Sequence, residues 1–120
     1  MSDSILTSVK KALGLTDDYE AFDPDVIMHI NTVFADLNQL GLGPDEGFMI
    51  EDKTTTWDAF IGDELRFNSV KTYTFLRVRL MFDPPQTSYL IESLRKQVEE
   101  LGWRLNVGSE YIASLTPPTP

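Results

Sequence analysis

The fold is decided by the stretch Asp23-Pro-Asp-Val-Ile-Met-His-Ile-Asn-Thr-Val-Phe-Ala-Asp-Leu-Asn-Gln-Leu40, which predicts a long amphipathic helix. Asp23 followed by Pro24 matches an N-cap with proline at the first helical position, and Gly41 and Gly43 predict the end of the helix. Its apolar residues recur at spacings of four and three, the repeat of one helical face: Val26, Ile30, Val33, Leu37 and Leu40.

Helices are also predicted on both sides of this stretch. Residues 4–14 form a short amphipathic helix with Ser2 or Asp3 as the N-cap. Residues 69–82 are apolar on nearly every side, which favours a helix buried on several sides over the alternative of a strand. A last helix begins at Thr87 or Ser88 and has a heptad-like seam, formed by Ile91, Leu94, Val98, Leu101 and Leu105. The sequence therefore predicts an all-α bundle of about four helices.

Between these helices lies a long acidic loop, over residues 41–68. Residues 43–47 form a predicted turn, residues 48–51 a short extended piece that leaves room for a β element, and residues 54–61 a capped helical turn. Residues 1–64 carry 14 acidic and 3 basic side chains, whereas residues 65–120 carry 5 and 7. Loops of this length in small domains are usually functional, so the loop is a candidate for contact with other molecules.

The composition bounds the class of protein. A length of 120 residues suits one folded domain, and the lack of cysteine excludes disulfides and thiol chemistry. The net charge of −9 disfavours tight nucleic-acid binding, because phosphate backbones favour clustered lysine and arginine. Neither a leader sequence nor an apolar run of about 20 residues is present, so we expect a soluble protein without membrane contact.

No residue pattern predicts an active site. His29 is the only histidine and lies off the apolar stripe of its helix, which predicts a place on the surface or rim. The acidic pairs lack the spacing of a calcium loop, and we interpret them as solvated rather than as carboxylates of a glycosidase or metal nuclease. Trp57, Phe60 and Trp103 are interpreted as core rather than as a ligand pocket. We expect no enzyme activity, no cofactor and no metal.

The C-terminal residues are predicted to leave the bundle. Three of the last four residues are proline, which predicts an extended arm over residues 108–120, after a helical domain over residues 1–107. Two interpretations stay open, simple disorder and an arm that docks on a partner protein. The second gives candidate partner-binding residues: Tyr111, Ile112, Leu115, Pro117 and Pro118.

Seven fragments, in this order and spacing, resemble the head-to-tail connector proteins (head-completion or adaptor proteins) of tailed phages of Gram-positive bacteria. They lie within residues 5–107: Ile5-Leu-Thr-Ser-Val-Lys-Lys-Ala-Leu-Gly-Leu15, Phe22-Asp-Pro-Asp-Val-Ile-Met-His-Ile-Asn31, Gln39-Leu-Gly-Leu-Gly-Pro44, Thr56-Trp-Asp-Ala-Phe60, Val70-Lys-Thr-Tyr73, Leu80-Met-Phe-Asp-Pro-Pro85 and Trp103-Arg-Leu-Asn106.

The resemblance implies a structural virion protein at the head–tail junction, made in the host cytoplasm. Its implied partners are the portal protein, the next connector, stopper or tail protein, and other copies of itself in a dodecameric ring. DNA would cross the ring only as passing cargo. An acidic lining would repel phosphate, which makes Glu51, Asp52 and Asp58 candidate channel-lining residues; the other interpretation is that the charge keeps the monomer soluble.

Two other functions compete with the connector. An acidic regulator or DNA mimic would block a nucleic-acid-binding enzyme as a monomer or dimer, with carboxylates spaced along one face like phosphates. A small hydrolase would need metal-dependent turnover. A ring formed on a portal separates the connector from both.

Overall fold

The computed structural model describes residues 4–62 and 67–115, with side chains for residues 4–62 and 68–106. Five helices follow one another: α1 (Ile5–Ala12), α2 (Asp23–Gln39), α3 (Trp57–Ile61), α4 (Phe67–Phe82) and α5 (Ser88–Leu115). The described residues form no β-strand, and their single β feature is an isolated antiparallel bridge between Ser4 and Thr56. The predicted all-α bundle is confirmed.

Helix α2 packs on α4 and α1 and contributes one long buried face to the core. Val26, Ile30, Val33 and Leu37 are buried as the apolar repeat predicts, and Leu40 is half-buried just beyond the helix. Phe34 stacks on Phe60 of α3 with ring centroids 4.2 Å apart, beside the fully buried Trp57. The helix begins one residue earlier than expected, because Asp23 is helical and Phe22 occupies the N-cap position.

Helix α1 is capped by Ser4, whose hydroxyl accepts a hydrogen bond from the Thr7 amide at 3.2 Å. Ser2 and Asp3, the predicted caps, lie outside the described residues. The backbone amide of Ile5 donates to the Thr55 carbonyl at 3.0 Å, which joins α1 to the segment before α3. The face with Ile5, Leu6 and Val9 is buried against the bundle.

Helix α4 confirms the helical interpretation of residues 69–82, although not every side of it is buried. Val70, Thr74 and Val78 are buried, whereas Arg79 and Met81 are exposed. Thr74 fits into the core because its hydroxyl donates to the Val70 carbonyl at 2.9 Å. Arg77 ties α4 to α2 through an ion pair with Asp36 at 2.8 Å.

The predicted extended arm is wrong for residues 108–115, because α5 continues through Leu115. Glycine inside a helix costs only about 1 kcal/mol relative to alanine, so Gly108 does not end the helix. The first residue that bars helix is Pro117, which also disfavours the α conformation in the residue before it. Residues 116–120 lie outside the described residues.

The seam of α5 packs on α4 but is not fully covered. Leu105 is buried, whereas the other four seam residues are half-buried: Ile91, Leu94, Val98 and Leu101. Gly102 lies close to α4, where a Cβ atom would come within 3.4 Å of the Tyr73 ring. This helix therefore has one side on the bundle and a large remainder open to solvent.

The acidic loop is anchored rather than free. Leu42 and Ile50 are buried in the core, and the Asn38 amide donates to the Pro44 carbonyl at 2.7 Å. Residues 48–51, predicted as extended, form no strand. The backbone of Ile50 among them is hydrogen-bonded to the side chain of Asn31.

Candidate interaction surfaces

The described residues contain no group of three or more histidine or acidic side chains that could hold a metal ion. His29 is half-buried at the rim of α2, as predicted, and its ring lies 6.4 Å from the ring of Phe82. The described surface instead carries charged side chains and exposed apolar side chains. The candidate sites are therefore surfaces for contact with other proteins.

The first surface is the acidic loop, where Glu51, Asp52 and Asp58 are all exposed. The Asp52 carboxylate accepts hydrogen bonds from the hydroxyl and from the backbone amide of Thr54, the latter at 2.9 Å. These two bonds lower the pKa of Asp52 below its ordinary value, because they stabilise the ionised form. The Asp52 side chain is therefore held in its ionised form on the exposed surface of the loop.

The second surface is an open groove between α2 and residues 46–49, which we call the α2 groove. Its volume is about 990 Å³. Met28 and Met49 stand at its edge with 57% and 71% of their surfaces exposed, and Ile27 and Phe48 line its apolar part. Flexible methionine side chains suit apolar contacts with a partner whose shape is not rigidly matched.

The third surface is the outer face of α5. Trp103, predicted to be core, is 68% exposed, whereas Trp57 and Phe60 are buried as predicted. The sequence contains the signal for this exposure. Trp103 lies two residues from both Leu101 and Leu105, which places it about 160° around the helix from the seam. Tyr89, which the sequence analysis did not single out, is 81% exposed on the same helix.

The predicted partner-binding residues lie at or beyond the end of α5. Tyr111, Ile112 and Leu115 belong to its last turns, so they are carried by a helix and not by an extended arm. Pro117 and Pro118 lie outside the described residues. No helix in the described part of the chain combines the length and the apolar composition that crossing a membrane requires.

An all-α subunit with an acidic loop and several exposed apolar surfaces is typical of a structural protein that works through contact with other proteins. The chain belongs to the phage connector protein family, whose family model matches residues 5–112. No curated protein and no solved structure matches it. The match confirms the resemblance seen in the sequence. That resemblance lies within residues 5–107, whereas the match continues to residue 112, in the last turns of α5.

The family makes this chain a structural phage protein and a component of the virion, a head–tail connector. Connector proteins are structural, and they interact with portal or tail components. The three surfaces described above are candidates for such contacts.

Proposed function

We propose that the chain is one subunit of a dodecameric ring that joins the portal vertex of the capsid to the tail and extends the DNA channel. The observation that carries this proposal is the family match over residues 5–112. The partners are then the portal protein, the next connector, stopper or tail protein, and neighbouring copies in the ring. The subunit would wait in the host cytoplasm until it assembles at the head–tail junction.

The exposed apolar side chains support this proposal. Met49, Tyr89 and Trp103 each expose more than two thirds of their surface, at 71%, 81% and 68%. They lie on two elements, Met49 in the acidic loop and Tyr89 and Trp103 on α5, 14 residues apart. A ring subunit meets neighbours on two sides and further proteins above and below, so it needs several contact surfaces. Closed rings are built from such contacts between unlike surfaces of identical subunits.

The acidic loop supports the idea of a DNA channel. Glu51, Asp52 and Asp58 are exposed on one short segment, and a lining of carboxylates would repel the phosphates of passing DNA. On this proposal the segment lies near the lumen of the ring. A reconstruction of the assembled ring with these side chains on its outer surface would refute the placement and leave solubility as the role of the charge.

The end of α5 is the proposed partner-binding segment. Tyr111, Ile112 and Leu115 recur at spacings of one and three residues on a helix whose preceding turns pack on α4. Deleting residues 109–120 removes these side chains together with the proline-rich end, and it should abolish assembly on the portal. Circular dichroism of the shortened chain is the control for folding. A folded, shortened chain that assembles normally would contradict the role of this segment.

The decisive experiment is native mass spectrometry of the full chain with and without the purified portal protein. We expect a ring of about twelve subunits on the portal. Cryo-electron microscopy of that complex would then show the arrangement of the subunits. A chain that stays monomeric or dimeric and ignores the portal would contradict the proposed function. The same spectra would then favour an acidic regulator of a nucleic-acid-binding enzyme, which predicts that small state.

A further inference from the structure

A second groove opens where the start of α2 meets the end of α4, and we call it the terminal groove. Its lining includes Phe22, Asp25, His29, Met81, Phe82 and Asp83, and its volume is about 540 Å³. Phe22, Asp25 and His29 come from one face of α2 and the position before it, because they are three and four residues apart. The other three residues belong to the last turn of α4 and the residue after it.

The apolar part of the terminal groove is a chain of aromatic contacts that reaches the surface. Phe22 meets Phe82 edge-to-face with centroids 5.3 Å apart, and Tyr19 meets Phe22 at 5.7 Å. Phe22 is nevertheless 40% exposed, and Tyr19 is 47% exposed. Two successive edge-to-face contacts among three rings form a continuous apolar surface that a partner side chain could cover.

Phe22 stands where helix stability favours a different residue. It occupies the N-cap position of α2 and makes no side-chain cap hydrogen bond. Serine, threonine, aspartate or asparagine at an N-cap stabilises a helix by about 1 kcal/mol over residues that cannot cap. A residue that breaks a local rule without a compensating gain in its own fold points to a function. The contact with Phe82 leaves Phe22 40% exposed, so it buries only part of the ring and offsets little of the missing cap hydrogen bond.

The charge of the terminal groove is uncompensated. Asp25 and Asp83 are exposed at its edge, and none of the described residues that line it is a lysine or an arginine. The buried Lys10, which lies under the start of α2, is already engaged by Asp23 at 2.9 Å and by the Asp17 carbonyl at 3.0 Å. The neighbouring loop adds Asp18 and Glu20, both exposed, on either side of Tyr19.

Aromatic faces beside carboxylates are the surroundings that suit a guanidinium group. Arginine stacks on aromatic rings and binds carboxylates through two parallel N–H donors, whereas an ammonium offers a point charge. We propose that the terminal groove binds an arginine-bearing segment of a partner protein, with the guanidinium between Asp25 and Asp83 and an adjacent apolar side chain on Phe22 and Met81. In the virion this contact would form during the assembly proposed above. Its role there rests on the proposed function, whereas the binding of arginine by the groove does not.

The test is a titration of the full chain, labelled at its methionine methyl groups, with the peptide acetyl-Leu-Arg-Phe-Arg-amide. The chain has four methionines, so the methyl spectrum is simple, and Met81 reports the terminal groove while Met28 and Met49 report the α2 groove. We expect a saturable shift at Met81 and at the His29 ring, without one at Met28 or Met49. The matched peptide with citrulline in place of arginine keeps the shape and removes the charge, and it should bind at least about tenfold more weakly.

The variant Asp25→Asn with Asp83→Asn should weaken the arginine peptide by about tenfold or more, because both carboxylates lose their charge. The control Glu46→Gln with Glu51→Gln removes the same charge from the acidic loop, where both side chains are exposed, and should bind as the original chain does. Equal binding of the citrulline peptide, equal loss in both double variants, or shifts confined to Met28 and Met49 would each overturn the proposal.

This outcome is separable from that of the ring experiment. A chain that binds the arginine peptide but forms no ring with the portal would contradict the proposed function and support the groove. A chain that forms the ring but shows no saturable shift at Met81 would contradict the groove alone.

Discussion

The side chain of Asn31 makes two hydrogen bonds to the backbone of Ile50. Its amide nitrogen donates to the Ile50 carbonyl at 3.0 Å, and its oxygen accepts a hydrogen bond from the Ile50 N–H at 2.8 Å. The two residues are 19 positions apart. This pair of bonds lets the acidic loop follow α2 without forming a strand, and it sets the position of Met49 and Glu51 on either side.

Replacing Asn31 with alanine should therefore loosen the loop and destabilise the fold. Both backbone groups of Ile50 would lose their partners, which costs about 1–3 kcal/mol when such groups stay partly buried. Denaturant unfolding followed by circular dichroism measures the loss. Thr32→Ala is the matched control, because the Thr32 hydroxyl bonds only to its own helix and is exposed, and it should change the free energy of unfolding by less than about 0.5 kcal/mol. Equal effects of the two variants would contradict the role of Asn31.

The ion pair between Lys10 and Asp23 predicts that substituting one partner costs more stability than substituting the other. Lys10 is 1% exposed. Its ammonium lies 2.9 Å from the Asp23 carboxylate, in an ion pair that joins α1 to the start of α2. Asp23→Ala leaves that charge buried without its counter-charge and should cost about 3 kcal/mol, whereas Lys10→Met should cost much less because its stem fits the same space.

Thermal unfolding of the double variant tests this explanation. Lys10→Met in the Asp23→Ala background should restore part of the lost stability, because the uncompensated charge is then gone. If the double variant is as unstable as the sum of the two single changes, the effect is lost packing and not charge.

Gly43 and Gly41 form a matched pair in the loop that follows α2. Both have a positive φ, at 81° and 86°, which costs a residue with a Cβ about 1 kcal/mol or more. A Cβ atom on Gly43 would also lie 2.5 Å from the Phe60 ring, whereas one on Gly41 would meet nothing within 4 Å. Gly43→Ala should therefore destabilise the fold by more than Gly41→Ala, by about 1–3 kcal/mol. Chemical denaturation measures the difference, and equal losses would contradict the contact with Phe60.

Asp52 predicts a pH dependence. Its pKa is lowered from the ordinary value of 3.8, chiefly by the Thr54 hydroxyl and then by the Thr54 amide. A carboxyl with a lowered pKa in the folded state contributes stability above its unfolded pKa, and this is lost as pH falls through the lowered value. Thr54→Val removes the hydroxyl bond, so a carbon-detected titration should show the Asp52 pKa rising toward 3.8. An unchanged Asp52 pKa would contradict the assignment.

The sequence predicted most of the helical structure because helices follow from local spacing. The apolar repeat of α2 and the seam of α5 identify the faces that are buried or half-buried, and the same spacing accounts for the exposure of Trp103 once its angle to the seam is considered. The error at the end of α5 came from extending the effect of the C-terminal prolines back to residue 108, although the first of those prolines is Pro117.

The sequence by itself determined the helical class, the long amphipathic helix α2, the acidic loop and the family, since each depends on residue types and on spacing along a few turns. The tertiary structure alone decided that Asn31 meets Ile50, that Lys10 meets Asp23 and that Phe22 and Asp83 share a groove. The physical reason is that such contacts join residues from 13 to 61 positions apart, and local periodicity carries no information about which distant groups meet.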